Sequence, residues 1–107
     1  TIFDNLFAFA ECRPEGLESP TVVGAQVANE LMNITGIKAS FVFTKVKDTV
    51  YISARSFEEV NVQLVMEKFG GGGHSAIAGA QLTDVSVEAA MTQVKMQLRI
   101  MKNEGEI

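Results

Sequence analysis

The apolar residues of the chain alternate in some segments and recur every three or four positions in others, which predicts an order of strands and helices. From Leu6 to Cys12 both faces of the alternation are apolar, with Phe7 and Phe9 on the same side. Such a pattern is typical of a strand covered on two sides. Three further stretches have the composition of strands: residues 38–46, 49–55 and 78–83. The first two of these, residues 38–46 and 49–55, are predicted to form a hairpin with a tight turn near Lys47-Asp48.

Helical periodicity appears in three places. Ser19-Pro20 predicts a helix start, because Ser can cap free amides and Pro fits the first helical position. An apolar stripe then runs towards Gly36, which is expected to end the helix, and residues 61–69 form a second helix. A third helix begins near Ser86, and residues 103–107 are expected to be a frayed tail. The first stripe consists of Val23, Val27, Leu31 and Ile34; the seam of the third helix consists of Val87, Met91, Val94, Leu98 and Met101. The pattern predicts an α/β fold, a single compact domain with a mixed sheet of about four to five strands and about three main helices.

The length, charge and cysteine content of the chain limit the number of domains, the class of partner and the compartment. The 107 residues, of which 47% are hydrophobic, fit one domain, residues 1–107. A net charge of −4 disfavours the binding of a long polyanion such as duplex nucleic acid. The single cysteine, Cys12, indicates a reducing compartment, and no stretch has the length of a membrane-spanning helix or the form of a signal peptide. Because the sequence begins at Thr1, we expect a piece of a longer protein of the cytosol or of the cytosolic side of a membrane.

The run Gly70-Gly71-Gly72-Gly73 followed by His74, the one histidine, is the most informative feature. Glycines carry a high entropic cost, but they expose backbone amides that can converge on an anionic oxygen. Residues 75–78 are predicted to begin a helical turn whose N-terminus adds positive potential, and His74 can donate a hydrogen bond to phosphate. The alternative is a flexible linker with an incidental histidine.

A second candidate feature is the end of the hairpin's second strand, Ser53-Ala54-Arg55-Ser56. Alternation places Tyr51, Ser53 and Arg55 on one face, and a planar guanidinium suits two-point binding of phosphate. Taken alone, Arg55 is also compatible with a surface salt bridge to Glu58 or Glu59. Together with the glycine run it favours a site for a phosphorylated ligand.

Other chemistry is weakly supported. One histidine and one cysteine cannot build a metal site, and the aspartates are scattered, so no metal site is predicted. Cys12 has the position of a core residue. These residues indicate a domain that holds a phosphorylated ligand without cleaving it.

The segment Val62–Leu82, with Phe69 before the glycine run, His74 after it and Ala78-Gly79-Ala80-Gln81-Leu82 beyond, closely resembles the DHHA1 domain of the DHH phosphoesterases. The strand ending Ser53-Ala54-Arg55-Ser56 and the following Asn61-Val62 are similar to that family as well. The resemblance extends over nearly the whole chain. It is greatest for the membrane-anchored cyclic-di-AMP phosphodiesterases of Gram-positive bacteria. One departure is Ile77, where many members have a smaller residue.

The resemblance implies that the chain binds the substrate of a manganese-dependent phosphodiesterase acting on cyclic-di-AMP or a short linear dinucleotide. The implied substrate-binding residues are Ser53, Arg55, Ser56, Gly71, Gly72, Gly73 and His74, with no catalytic residue in this chain. Two manganese ions would belong to a separate N-terminal DHH domain of the same protein, and no cofactor is expected on this chain. We also expect a location on the cytoplasmic face of a membrane-anchored protein, without direct membrane contact, and leave a homodimer open.

Two alternatives remain. One is a DHH-family single-strand exonuclease or oligoribonuclease, which the acidic balance disfavours because each phosphate contact along a strand calls for a cation. The other is a non-catalytic nucleic-acid-binding module, similar to the C-terminal domain of alanyl-tRNA synthetases.

Overall fold

The fold is a six-stranded mixed sheet with helices on both faces. The structure is a computed structural model that describes residues 1–57 and 59–107. In chain order the elements are β1 (Ile2–Phe3), β2 (Phe7–Cys12), α1 (Pro20–Leu31), β3 (Ala39–Val46), β4 (Thr49–Ser56), α2 (Val62–Glu67), β5 (Gly72–Gly73), β6 (Ile77–Thr83) and α3 (Val87–Asn103). The strands lie in the order β1-β2-β3-β4-β6-β5. The predicted α/β class and the three helices are confirmed.

The sheet contains one parallel pair, and all its other pairs are antiparallel. β2 runs parallel to β3, and α1 is the crossover between them. β3 and β4 form the predicted hairpin, whose turn contains Lys47 at a φ of 59°. Two short strands exceed the predicted count: β1 and β5 have two residues each, too few for an alternation to reveal them.

The larger core lies between the sheet and the helices α2 and α3. It contains the four buried phenylalanines of β2 and β3, and the Phe9 ring lies 5.3 Å from Phe41 and 5.7 Å from Phe43, centroid to centroid. The α3 seam closes this core; Val87, Val94, Leu98 and Met101 are buried as predicted, and Met91 packs at the margin. Ser86 caps α3, because its hydroxyl accepts a hydrogen bond from the amide of Ala89 at 3.0 Å.

α1 covers the opposite face of the sheet. Its buried residues, Gly24 and Ala28, pack on β2 and β3, where Cys12 and Val42 complete a smaller apolar cluster. The hydroxyl of Ser40 donates to the Ala28 carbonyl at 2.7 Å and ties β3 to the helix. Cys12 is buried there, as its strand position predicts.

Both ends of α1 differ from the prediction. The helix begins at Pro20 as expected, but the Ser19 side chain makes no capping hydrogen bond. It ends at Leu31 rather than near Gly36, because residues 32–36 turn away towards β3 with Gly36 at a φ of 89°. Ile34, assigned to the buried stripe by its spacing, is 43% exposed.

Two further local predictions are wrong. Residues 75 and 76 form a bend that enters β6 and make no helical turn, so no helix terminus adds potential beside the glycine run. The C-terminal tail is not frayed. The Glu106 amide donates to the Met101 carbonyl at 2.8 Å, and Ile107 packs against the core.

A buried hydroxyl on β3 provides a stability test. Thr44 is 1% exposed, and its Oγ1 has no hydrogen-bond partner in the described part of the chain. Leaving a buried polar group unpaired costs about 1–3 kcal/mol. Thr44→Val replaces the hydroxyl with a methyl group of similar size, so we expect it to raise the free energy of unfolding by about 1 kcal/mol. Thermal or urea unfolding measures this.

The matched control is Thr83→Val, at an exposed position of β6. A surface substitution of this kind changes stability by no more than about 0.5 kcal/mol. A destabilised Thr44→Val variant would show that the Thr44 hydroxyl finds a partner in solution.

Candidate functional site

The site predicted from the sequence lies on the α1 side of the sheet, where the helix leaves β4 and β6 uncovered. α1 packs on β2 and β3 and along part of β4, so the remaining sheet surface is open. Alternation places Tyr51, Ser53 and Arg55 on this side, opposite Gln81, Gly79 and Ile77 of β6, respectively. Gly72 of β5 lies beyond Gly79. We refer to the α1-facing side of these residues (51, 53, 55, 72, 77, 79 and 81) as the open sheet surface.

A cleft of about 490 Å³ lies over part of this surface. Its floor consists of small residues, since Ser53 faces Gly79 and Gly72 follows on the next strand. The start of α1 forms one wall, and the beginning of the glycine run forms another. The cleft is lined by Thr21, Tyr51, Ile52, Ser53, Gly70, Gly71, Gly79, Ala80 and Gln81.

Arg55 lies at the edge of the same surface and is held from two sides. Its Nε donates to the Oδ1 atom of Asn29 in α1 at 2.8 Å, and one terminal nitrogen donates to the Ala54 carbonyl at 2.8 Å. Partial burial lowers the pKa of the guanidinium from its ordinary value, although an arginine stays charged. The result is an oriented cation with part of its hydration removed.

The predicted salt-bridge alternative for Arg55 is not seen among the described residues. Glu59 pairs with Lys38 at 2.9 Å instead, and Glu58 lies outside the described residues. The other ion pairs join Lys68 to Glu106 and Lys102 to Asp4, each at 3.9 Å. Within residues 1–57 and 59–107, no carboxylate therefore neutralises this guanidinium.

Most backbone amides of the glycine run are already engaged, which limits the predicted anion cradle. The amide of Gly70 donates to the Glu67 carbonyl at 3.1 Å, that of Gly71 to Met66 at 2.9 Å, and that of His74 to Ile77 at 2.7 Å. Gly72 and Gly73 form the edge strand β5, which pairs with β6 on one side. A cradle that uses all four glycine amides is therefore not formed.

The glycines are needed for close contact between strands instead. A Cβ on Gly71 would collide with the Gly79 carbonyl and lie 2.8 Å from the Cα of Ala80. A Cβ on Gly73, at a φ of +140°, would lie 2.5 Å from the Ile77 carbonyl. At Gly72 a Cβ meets nothing within 4 Å. Because Gly72 pairs with Gly79, that Cβ would project from the open sheet surface.

His74 lies in the turn between β5 and β6 and is exposed. Its backbone is hydrogen-bonded to Ile77, which lies opposite Arg55 across the strand pair. Two strand spacings separate the backbones of His74 and Arg55, which is about 10 Å. The backbones of the two residues therefore lie at the same end of the open sheet surface. Ile77 is 54% exposed there, so its size creates no conflict in the turn.

The structure does not bring Ser56 to this surface. Ser56 follows Arg55 directly, so it faces the other side of the sheet, where it is buried. Its hydroxyl lies 2.6 Å from the Val60 carbonyl and 3.2 Å from the Ser75 carbonyl. These contacts join the loop before α2 to the turn between β5 and β6. Ser56 is a structural residue in this arrangement and is not placed to contact a ligand.

Four residues that were not predicted to be site residues contribute to the site. Asn29 orients Arg55, and Thr21, Tyr51 and Gln81 line the cleft. Tyr51 and Gln81 were within reach of sequence analysis, because they share the period-two face of Ser53 and Gly79. Asn29 was not, since nothing in its helix spacing indicates a contact with a strand 26 positions away.

The described residues do not form a metal centre. No group of three or more His, Cys, Asp or Glu side chains that could hold an ion exists within ranges 1–57 and 59–107. The manganese implied by the resemblance thus has no fitting ligand set here, and no reaction step is assigned to it.

One family matches most of the chain. The DHHA1 domain family matches residues 12–99, most of the sheet and all of the open sheet surface. The chain belongs to the DHHA1 domain family.

Two relatives share enough sequence to be informative. The chain is 52% identical to the cyclic-di-AMP phosphodiesterase GdpP of Geobacillus thermodenitrificans over 75 residues, covering 69% of this chain and 11% of that protein. It is 46% identical to the cyclic-di-AMP phosphodiesterase PdeA of Listeria monocytogenes over 81 residues, covering 75% of this chain and 12% of that protein. The chain thus spans a small part of the length of these relatives.

Solved structures support the fold. An exopolyphosphatase-related protein of Bacteroides fragilis superposes with a TM-score of 0.79 at 18% identity, over 100% of this chain and 33% of that one. The C-Ala domain of Aquifex aeolicus alanyl-tRNA synthetase superposes with a TM-score of 0.67 at 17% identity, over 86% of this chain and 89% of that one.

The glycine contacts generate a test of stability. We expect Gly71→Ala to lower the free energy of unfolding by about 1–3 kcal/mol, because the new Cβ collides with the backbone of β6. Gly72→Ala is the matched control; its Cβ enters open space at an ordinary φ, so stability should stay the same or rise slightly. Thermal melts of both variants measure the difference. Equal stability of the two variants would contradict the close β5–β6 contact.

Proposed function

We propose that this chain is the substrate-binding DHHA1 part of a phosphodiesterase that hydrolyses cyclic-di-AMP or related short dinucleotides. The names of the two relatives, at 52% and 46% identity, support the reaction class. The observation that carries the proposal is Arg55, a partly desolvated guanidinium oriented by Asn29 beside a flat, open floor. Such a cation favours an anionic oxygen, and its planar fork suits phosphate.

The same surface suits a short ligand better than a long strand. The floor carries one arginine and, at the turn, one histidine, while the chain as a whole has a net charge of −4. A strand-binding groove tracks the backbone with a series of cations. We therefore favour a dinucleotide over the exonuclease and nucleic-acid-module alternatives.

The chemistry itself is assigned to another domain of the protein. In the proposal a separate DHH domain of the same protein would hold the manganese ions, which would supply the activation of water, and the open sheet surface would face that domain across the substrate. The part played by this chain is positioning: Arg55 and His74 contact phosphate at one end, while the small floor residues allow close approach.

The proposal also includes the setting of the whole protein. No helix in the described part of the chain is long and apolar enough to cross a membrane. We place the domain on the cytoplasmic side of a protein anchored by segments outside this sequence, without direct membrane contact, and in an arrangement that allows a homodimer.

The Arg55 contact is tested by binding. We expect Arg55→Lys to weaken cyclic-di-AMP binding to the 107-residue chain by about 1–3 kcal/mol, because a point charge cannot reproduce a two-pronged contact. Asn29→Ala should weaken it less, since the guanidinium remains and loses only its orientation. Calorimetric titration, with thermal melts of each variant, measures both effects.

The control for these variants is Arg99→Lys, on the α3 side of the sheet, where Arg99 lies over the Phe3 ring. It should leave the affinity unchanged. An Arg55→Ala variant that stays folded and binds cyclic-di-AMP like the parent chain would contradict the assigned role.

Hydrolysis provides a separate test. We expect the 107-residue chain to bind dinucleotides weakly and to hydrolyse none of them with or without manganese, because its described residues contain no metal-ligand cluster. Chromatography of cyclic-di-AMP incubated with the pure chain detects any product. Turnover above background that survives His74→Ala would overturn the division of labour between the two domains.

A further inference from the structure

The part of the cleft farthest from Arg55 has no role in the phosphate contacts described above. It is formed by Tyr51 and Gln81, which lie directly opposite each other on β4 and β6, with Thr21 of α1 alongside. Neither residue belongs to the glycine run or to the strand-end motif. The side chains of Tyr51, Ser53 and Gln81 take part in none of the side-chain hydrogen bonds among the described residues, so their polar groups are available to a ligand.

We propose that the Tyr51–Gln81 end of the cleft is a nucleobase subsite and that Gln81 selects adenine. The inference rests on the proposed function, since it needs a nucleotide whose phosphate is at Arg55. It goes further by assigning two specificity-determining residues and the base that they read.

The spacing along β4 supports this arrangement. Arg55 and Tyr51 are four positions apart, which is about 13 Å along a strand. The phosphate and the base are the two ends of a nucleotide, so a nucleotide bound along β4 would have its phosphate towards Arg55 and its base towards Tyr51. Between the two ends lie Ser53, Gly79 and Gly72, which carry little or no side chain to obstruct a sugar.

The shape of this end suits a flat ring. The volume of about 490 Å³ lies within the range of roughly 300–1,000 Å³ typical of small-molecule sites. Tyr51 is half-buried, lines the cleft and carries an aromatic ring. Stacking of a base on an aromatic side chain is favourable for every base, so Tyr51 supplies affinity without choosing among them.

Gln81 supplies the selectivity for adenine over guanine. A glutamine amide can accept from the N6 amino group of adenine and donate to its N7. Guanine presents two acceptors at the corresponding positions, O6 and N7, so the amide oxygen would face another acceptor. The exposed Gln81 side chain at the cleft can approach the base edge while the ring lies against Tyr51.

The experiment compares three probes on the 107-residue chain: cyclic-di-AMP, cyclic-di-GMP and ribose 5-phosphate, which lacks a base. Gln81→Ala should weaken cyclic-di-AMP binding roughly 5- to 150-fold and leave the other two affinities unchanged. Tyr51→Ala should weaken both cyclic dinucleotides by similar factors and leave ribose 5-phosphate unchanged. Tyr51→Phe should retain most of the affinity, because it keeps the ring.

The matched control is Gln93→Ala, at an exposed position of α3 on the other side of the molecule, which should change no affinity. Thermal melts show whether each variant is folded; Gln81 is exposed, so its truncation leaves the core intact. The folded state therefore does not confound the Gln81 comparison, even if Tyr51→Ala is destabilised.

The possible outcomes distinguish a failure of the adenine subsite from a failure of the proposed function. If the parent chain binds cyclic-di-AMP through Arg55 and Gln81→Ala leaves the preference for cyclic-di-AMP over cyclic-di-GMP unchanged, the adenine subsite is wrong and the proposed function stands. If the parent chain binds ribose 5-phosphate but neither dinucleotide, both the subsite and the proposed function are wrong.

Discussion

The candidate site depends on the close contact between the glycine run and strand β6. Gly71 and Gly73 approach the backbone of residues 77–80 at distances that a Cβ would not permit. Because that contact holds, β5 joins the sheet beyond β6 and extends it past the edge of α1. The consequence is a patch of sheet with almost no side chains, which few sequences produce, since glycine is depleted in strands.

A flat floor acquires function only through the groups at its ends. At one end α1 lies over the sheet, and its residue Asn29 orients Arg55. The contact with the helix therefore restricts the conformations of the arginine side chain. At the other end α1 stops covering the sheet and leaves the cleft between its first turn and β6. One helix thus shapes both ends of the surface, and it does so from a well-packed position, with Ala28 and Gly24 buried against β2 and β3. Sites on rigid elements of this kind hold their geometry better than sites on loops.

The fold was largely predictable from the sequence, and the site was predictable in part. Period-two and period-3.6 patterns located the four long strands and three helices, because a two-sided sheet requires those patterns. The same alternation placed Ser53 and Arg55 on one face. It also argues against Ser56 as a contact residue, which the motif resemblance had suggested.

What the sequence could not give were the long-range contacts. The predicted amide cradle is restricted because the amides of Gly70, Gly71 and His74 have carbonyl partners, and the sequence of a glycine run is the same whether its amides are free or paired. The end of α1 at Leu31 depends on a local turn, and the packing of the C-terminal residues depends on contacts with residues distant in sequence. The spacing of apolar residues contains no information about either. The contact of Asn29 with Arg55 became visible only in the folded structure, and the direct opposition of Tyr51 and Gln81 only when the register of the sheet was known.

We propose that the ligand binds to the open sheet surface, on the α1 side of β4, β6 and β5. Backbone and methyl NMR spectra of the 107-residue chain, recorded during titration with cyclic-di-AMP, can locate it. We expect the largest shifts to cluster at Ser53, Arg55, Gly72, Gly79 and Gln81, with little change on the α3 side. Shifts centred on α3 or on the β1 edge, with the open sheet surface unaffected, would contradict it.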